Sequence, residues 1–313
     1  MSRSKLIYLF LAFFSFFIPV ILYLRAFAAY QKPFRPLLRP ELTPYLLQSD
    51  HGPPTLIRSS FYAASSKTYL VYSVLLPPNY SKSKTYPSLV WLHGANGGSR
   101  SLVPLSQMFY KAMQRGSLRD TIIFFPESQP LSMWTDSRSG TYPIETIIIN
   151  DLIPHWRKLY PLSANRHQTS IAGFSMGGYG AAKYGLKYPQ LFGTVLLIGS
   201  GTLDEDLDNT PMANTSIRDE VFNRVYGDDS TYFYHQSPRY LAIHNLQSIT
   251  QYPPKILFIV GAFDQVLDQN QRFYDYLKSH GITSSFRVLP HTSHDLQSYL
   301  RASRNQILDF LTH

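Results

Sequence analysis

The chain has 313 residues, enough for one large α/β domain or two small ones. Hydrophobic residues make up 44% and charged residues 16%, which fits a globular protein and excludes wholesale disorder. The net charge of +9 includes no long basic run and reads as a solvated surface rather than a nucleic-acid footprint, while the lack of cysteine excludes disulfides, thiolate metal sites and a cysteine nucleophile.

Residues 1–29 read as a signal peptide or a membrane anchor. Arg3 and Lys5 precede an uncharged stretch from Leu6 to Leu24. That stretch is close to the roughly 20 residues that span a bilayer as a helix, and longer than an ordinary signal core. Ala26-Phe27-Ala28 nevertheless offers a small-x-small cleavage site. The expectation is an extracytoplasmic domain, anchored through this helix or secreted after cleavage. Residues 30–60 read as a proline-rich linker.

From residue 61 to residue 313, strand-like and helix-like segments alternate. This pattern predicts an α/β fold with a mostly parallel central sheet and helices on both faces. Thr68 to Pro78 (TYLVYSVLLPP) reads as a strand stopped by proline, and Tyr86 to Gly94 (YPSLVWLHG) as a second. Leu102 to Gly116 has helical spacing and a glycine stop, and Thr121 to Glu127 is a buried strand. Tyr142 to Pro161 is largely helical. The strand QTSIAGFS runs into the helix GGYGAAKYGLKYP, and Gly193 to Gly201 and Lys255 to Asp264 are further core strands. An amphipathic helix stopped by Gly281, the strand SSFRVLP and a last amphipathic helix complete the order. Residues 202–254 carry short helical pieces and no strand, and read as a cap inserted after a central strand.

The stretch GFSMGG, Gly173 to Gly178, carries the chemistry. The pattern G-x-S-x-G arises by chance on its own, so its context decides. Here a buried strand precedes it and a small-residue helix follows. A sharp strand-to-helix turn lifts the serine hydroxyl clear of the sheet, and the helix N-terminus brings partial positive charge to it. Ser175 is therefore the candidate nucleophile.

At this point the chain resembles the esterase D family of α/β-hydrolases. The residues that carry the resemblance are LLPPNY, YPSLVWLHGANGG, NDLIPHWRKLYP, IAGFSMGGYGAAKYGLKYPQLFG and SHDLQSYL, in that order between Thr68 and Leu311. The resemblance implies an α/β-hydrolase fold and a serine hydrolase whose chain order is nucleophile, acid, histidine.

A serine hydroxyl needs a base, usually a histidine oriented by a carboxylate. His291 and His294 compete in LPHTSHD. The resemblance favours His294, which is followed by Asp295 and then by Tyr299, although Leu296 stands where the family often has tryptophan. A zinc site built on the two histidines lacks a third ligand in the sequence. For the acid, Asp264 ends a strand at the carboxyl edge of the sheet, and Gly261 to Asp264 match the family's G-x-x-D turn. Asp268 is its rival, and Asp204 a more distant one. The oxyanion hole needs two backbone N–H groups. Met176 is expected to supply one. The loop HGANGG supplies the other through Ala95, with Gly94 and Gly97 allowing close approach. His93 reads as a structural loop residue.

The expected function is hydrolysis of a carboxylic ester through an acyl-enzyme, with no metal and no cofactor. The expected partner is a small-molecule, glycan or lipid ester. Two alternatives stand beside it. One is an acyltransferase that passes the acyl group to a sugar or lipid hydroxyl. The other is an inactive hydrolase-fold binding module at a membrane surface. Tyr232, Phe233 and Tyr234 in the cap are expected to help choose the substrate.

Overall fold

Short runs of apolar and β-branched residues alternate with amphipathic or small-residue segments, and the chain turns this alternation into a sheet covered on two sides. The computed structural model describes residues 45–46, 55–201, 203 and 215–312. The predicted leader, most of the predicted linker, the first part of the predicted cap and Asp204 lie outside the described residues.

The strands are β1 (Tyr45–Leu46), β2 (Leu56–Ala63), β3 (Thr68–Leu75), β4 (Ser88–Leu92), β5 (Ile122–Pro126), β6 (Thr169–Phe174), β7 (Thr194–Ile198), β8 (Lys255–Gly261) and β9 (Ser285–Leu289). They form one sheet in the order β1-β2-β3-β5-β4-β6-β7-β8-β9. From β5 through β9 neighbouring strands are parallel, while β1, β2, β3 and β5 pair antiparallel in turn. β2 begins in the predicted linker, with Leu56 to Ser60, and ends in the predicted domain. It pairs along its full length with β3.

β4, β5 and β7 are buried at every position, as strands covered on both faces should be. On one face lie α1 (Ser99–Gln114) and α9 (Leu296–Thr312), whose Leu105, Phe109, Ile307 and Leu311 meet Leu89, Trp91, Ile123 and Leu196. On the other lie α2 (residues 144–159) and α3 (Met176–Lys187), with α8 (Leu267–Ser279). α2 is continuous but built of three stretches, Ile144–Thr146, a π-helical Ile147–Leu152 and Ile153–Leu159. Its Trp156 stacks on Phe124 at 4.0 Å between ring centroids.

The described part of the segment expected to form a cap is helical: α4 (Thr215–Tyr226), α5 (Ser230–Gln236), α6 (Pro238–His244) and α7 (Leu246–Gln251). Asp229 and Ser237 cap α5 and α6 through their side chains. Val221, Tyr226, Phe233, Leu241 and Ile249 join the core on the α3 side. The three aromatics expected to help choose the substrate differ in placement. Phe233 is buried edge-on against Tyr226, and Tyr232 donates its hydroxyl to the Asp136 carbonyl at 2.8 Å. Only Tyr234 of the three is exposed.

The approach of α3 to the sheet sets the position of Ser175. A β-carbon on Gly177 would lie 2.0 Å from the Leu92 carbonyl oxygen, and one on Gly173 would lie 2.1 Å from the Gly177 oxygen. Both contacts are backbone, which cannot swing aside. Gly177→Ala is therefore expected to destabilise the fold by about 2–3 kcal/mol or more, read as a lower urea midpoint. An unchanged midpoint would mean that strand and helix separate freely.

Candidate active site

Ser175 stands between β6 and α3 with φ 57° and ψ −120°. This is the left-handed side of backbone space, which a serine adopts only where its surroundings enforce it. Three bonds do so. Its N–H donates to Ile198 O at 3.0 Å, and its carbonyl accepts from Tyr179 N at 3.1 Å and Gly201 N at 3.3 Å. A serine at a helix N-cap ordinarily uses its oxygen to cap the helix. Ser175 makes no such bond. Its Oγ instead lies 2.9 Å from His294 Nε2.

The loop between β9 and α9 brings His294 to that position. Its Nδ1 lies 2.7 Å from Asp264 Oδ2. A carboxylate only accepts, so Nδ1 carries the proton and the Nε2 lone pair is free for the serine O–H. The Phe174 ring stacks on the imidazole at 4.8 Å. Asp264 sits in the turn after β8, with its side chain fully buried. Burial works against its charge. The hydrogen bond and charge of His294, the Tyr299 hydroxyl and the Val266 N–H outweigh that effect and hold the carboxyl below its ordinary range.

The rivals are elsewhere. His291 is exposed and meets the ring of Phe263 at 5.6 Å. Asp268 is exposed in the first turn of α8. Asp295, next to His294, accepts from Ser298 N at 2.7 Å and caps α9.

The candidate oxyanion groups border the same serine. Met176 is the first residue of α3. A β-carbon on Gly94 would lie 3.6 Å from Ser175 Cβ, so the loop after β4 runs against the nucleophile. His93 has the structural place predicted for it. Its Nε2 accepts from Ser128 N at 3.0 Å, which leaves Nδ1 to donate to Gly94 O at 2.7 Å. Burial pushes the imidazole below its ordinary range, in keeping with this neutral form. The Gly94 carbonyl and the Ala95 N–H share one peptide plane, so this bond fixes the direction in which that N–H points.

The sequence gives no sign of a second support for the loop. Leu131, Met133 and Trp134 all have φ between 48° and 57°. From this strained segment Leu131 N donates to Ala95 O at 3.2 Å, and Trp134 Nε1 donates to His93 O at 3.1 Å. The carbonyls of His93, Gly94 and Ala95 are all tied down. Among the described residues no group of three or more His, Cys, Asp or Glu side chains could hold a metal ion. None of the described helices is long and apolar enough to cross a membrane.

The family model described as "Putative esterase" matches residues 65–252. The chain belongs to this esterase family. Ser175, Gly94, Ala95 and Met176 fall inside the match, and Asp264 and His294 fall beyond its end, so their place beside the serine comes from the geometry. Among curated relatives of this esterase-family chain, an acetyl esterase of Caldicellulosiruptor saccharolyticus is 26% identical over 168 residues, 53% of this chain and 63% of that protein. An esterase of Mycobacterium tuberculosis is 28% identical over 249 residues, 72% of this chain and 51% of its own length. The chain thus spans less than two thirds of the length of either. A solved ferulic acid esterase superposes with a TM-score of 0.67 at 22% identity, covering 82% of this chain and 97% of that one. An S-formylglutathione hydrolase from Staphylococcus aureus superposes equally well, at 0.67 and 19% identity over 82% of this chain and 98% of that one. These likenesses show an α/β-hydrolase fold.

Proposed function

We propose that this member of the esterase family hydrolyses carboxylic esters through an acyl-enzyme on Ser175. The observation that carries the reading is the unbroken line from Ser175 Oγ through His294 to Asp264, starting on a strained turn. Ser175 Oγ attacks the ester carbonyl carbon and its proton passes to His294 Nε2. The carbonyl becomes an oxyanion held by the N–H groups of Met176 and Ala95. The bond to the alcohol oxygen then breaks, and the alcohol leaves with the proton from His294. Water attacks the acyl-enzyme, gives its proton to His294, and Ser175 regains it as the acid departs. Asp264 keeps His294 in the tautomer that accepts from serine and stabilises the imidazolium between the two transfers.

Rapid quenching of p-nitrophenyl acetate turnover, followed by peptide mass spectrometry, should find an acetyl group on the peptide that contains Ser175. Turnover with no acetyl group there would overturn the reading. Adding a competing alcohol divides the outcome further. Free acid as the main product supports hydrolysis, and a new ester as the main product turns the assignment to acyl transfer.

A further inference from the structure

Asp264 Oδ2 accepts twice. His294 Nδ1–H reaches it at 2.7 Å, and the Tyr299 hydroxyl, from the second turn of α9, reaches the same oxygen at 2.5 Å. The tyrosine oxygen is itself fixed, because Gly261 N donates to it at 2.7 Å. Its ring is buried and meets the edge of Phe174, the residue that stacks on His294. The backbone nearby leaves room for the pair. Gly199 has φ +47°, and a β-carbon there would lie 2.8 Å from the tyrosine oxygen and 3.1 Å from Asp264 Oδ2. Burial first, and then the bond and charge of Asp264, push the phenol far above its ordinary range, so it remains a donor.

We propose that Tyr299 is a positioning residue for the Ser175–His294–Asp264 relay: it aims Asp264 Oδ2 at His294 and draws off part of the carboxylate charge. The proposal rests on the esterase reading above. A tyrosine that merely filled the core would have no influence on how the relay responds to pH. Without its O–H, the full carboxylate charge falls on His294 and favours the protonated imidazole, which cannot accept from serine.

The test is the rate at which a fluorophosphonate labels Ser175, followed by intact mass across pH 5 to 9, in wild type, Ser175→Ala and Tyr299→Phe. Tyr299→Phe is expected to label about tenfold more slowly on the plateau. Its acid limb should lie about half a pH unit higher than that of wild type. A Tyr299→Phe profile that superimposes on wild type overturns the proposal and leaves the esterase reading standing. Unlabelled wild type, or labelling that persists in Ser175→Ala, overturns the esterase reading and the proposal with it. Should Tyr299→Phe fail to fold, 3-fluorotyrosine placed at position 299 keeps the ring and makes the hydroxyl a stronger donor to Asp264; its acid limb should move down, and an unmoved limb overturns the proposal.

Discussion

Ser175→Ala is expected to lower kcat for a p-nitrophenyl ester by about 10⁶, leaving only the background that the oxyanion groups and binding supply. The turn holds the serine oxygen against His294 at 2.9 Å, and the described site places no other hydroxyl on that nitrogen. His294→Ala should cost about as much, because a neutral serine hydroxyl without a base is a weak nucleophile. Asp264→Asn should cost less, about 10⁴. Its amide can donate to Nδ1, which turns the imidazole to the tautomer whose Nε2 carries a proton and cannot accept from Ser175. The three losses should not add. Ser175→Ala combined with Asp264→Asn should be no slower than Ser175→Ala alone, because an orienting carboxylate has nothing to orient once the nucleophile is gone. Steady-state rates of the single and double variants decide the matter. An additive double variant, or a Ser175→Ala enzyme within tenfold of wild type, would separate these residues from the reaction.

What the sequence made legible follows from how local each signal is. Ser175 could be read because strand, G-x-S-x-G and helix are contiguous, and the two flanking glycines are required by backbone contacts within a few ångströms. Asp264 and His294 were separated from their rivals Asp268 and His291 by the family resemblance, because order and loop position alone leave both pairs open. The central strands announced themselves as apolar runs, since burial on both faces removes any alternation. β2 did not. Its LIRSSFYA mixes polar and apolar residues on a partly exposed strand and follows a proline-rich stretch, so its start, Leu56 to Ser60, read as linker. The supports of the site were equally silent. Nothing in LSMW, Leu131 to Trp134, marks a segment with three left-handed residues that grips the loop after β4, and the resemblance marks Tyr299 only as an aromatic that follows His294, not as a partner of Asp264. Each acts through a partner about thirty-five or more residues away in the chain, and spacing alone does not encode such partners.

Lys183 was the most deeply concealed of these. Nothing in GAAKYG marks it as buried, since lysine is rarely buried without a partner. It is in fact fully buried, with Nζ 2.6 Å from Glu145 Oε2 and 2.9 Å from Thr135 Oγ1. Lys187 Nζ lies 2.7 Å from Glu145 Oε1, and the Tyr188 hydroxyl donates to the same oxygen at 2.7 Å. The cluster ties the start of α2 to α3, the helix that begins at the nucleophile. Burial pushes the Lys183 ammonium down and Glu145 opposes it. Burial also works against the Glu145 charge, but the two lysines outweigh it and hold the carboxyl at about 2 rather than 4.5. Lys183→Met keeps most of the buried stem and removes the charge. It should cost about 3–5 kcal/mol in urea unfolding at pH 7, because it strands half of a buried carboxylate. Adding Glu145→Met should restore most of that loss, since apolar pairs of matching volume replace buried ion pairs at little cost. The pH dependence has a definite sign. The unfolded chain binds the Glu145 proton near its ordinary value and the folded chain only near 2, so stability falls as pH drops through that window, by roughly 3 kcal/mol in total. Glu145→Gln should flatten this acid slope. A Lys183→Met protein as stable as wild type, or an acid slope untouched by Glu145→Gln, would remove the cluster from the forces that hold α3, and with it Ser175, in place.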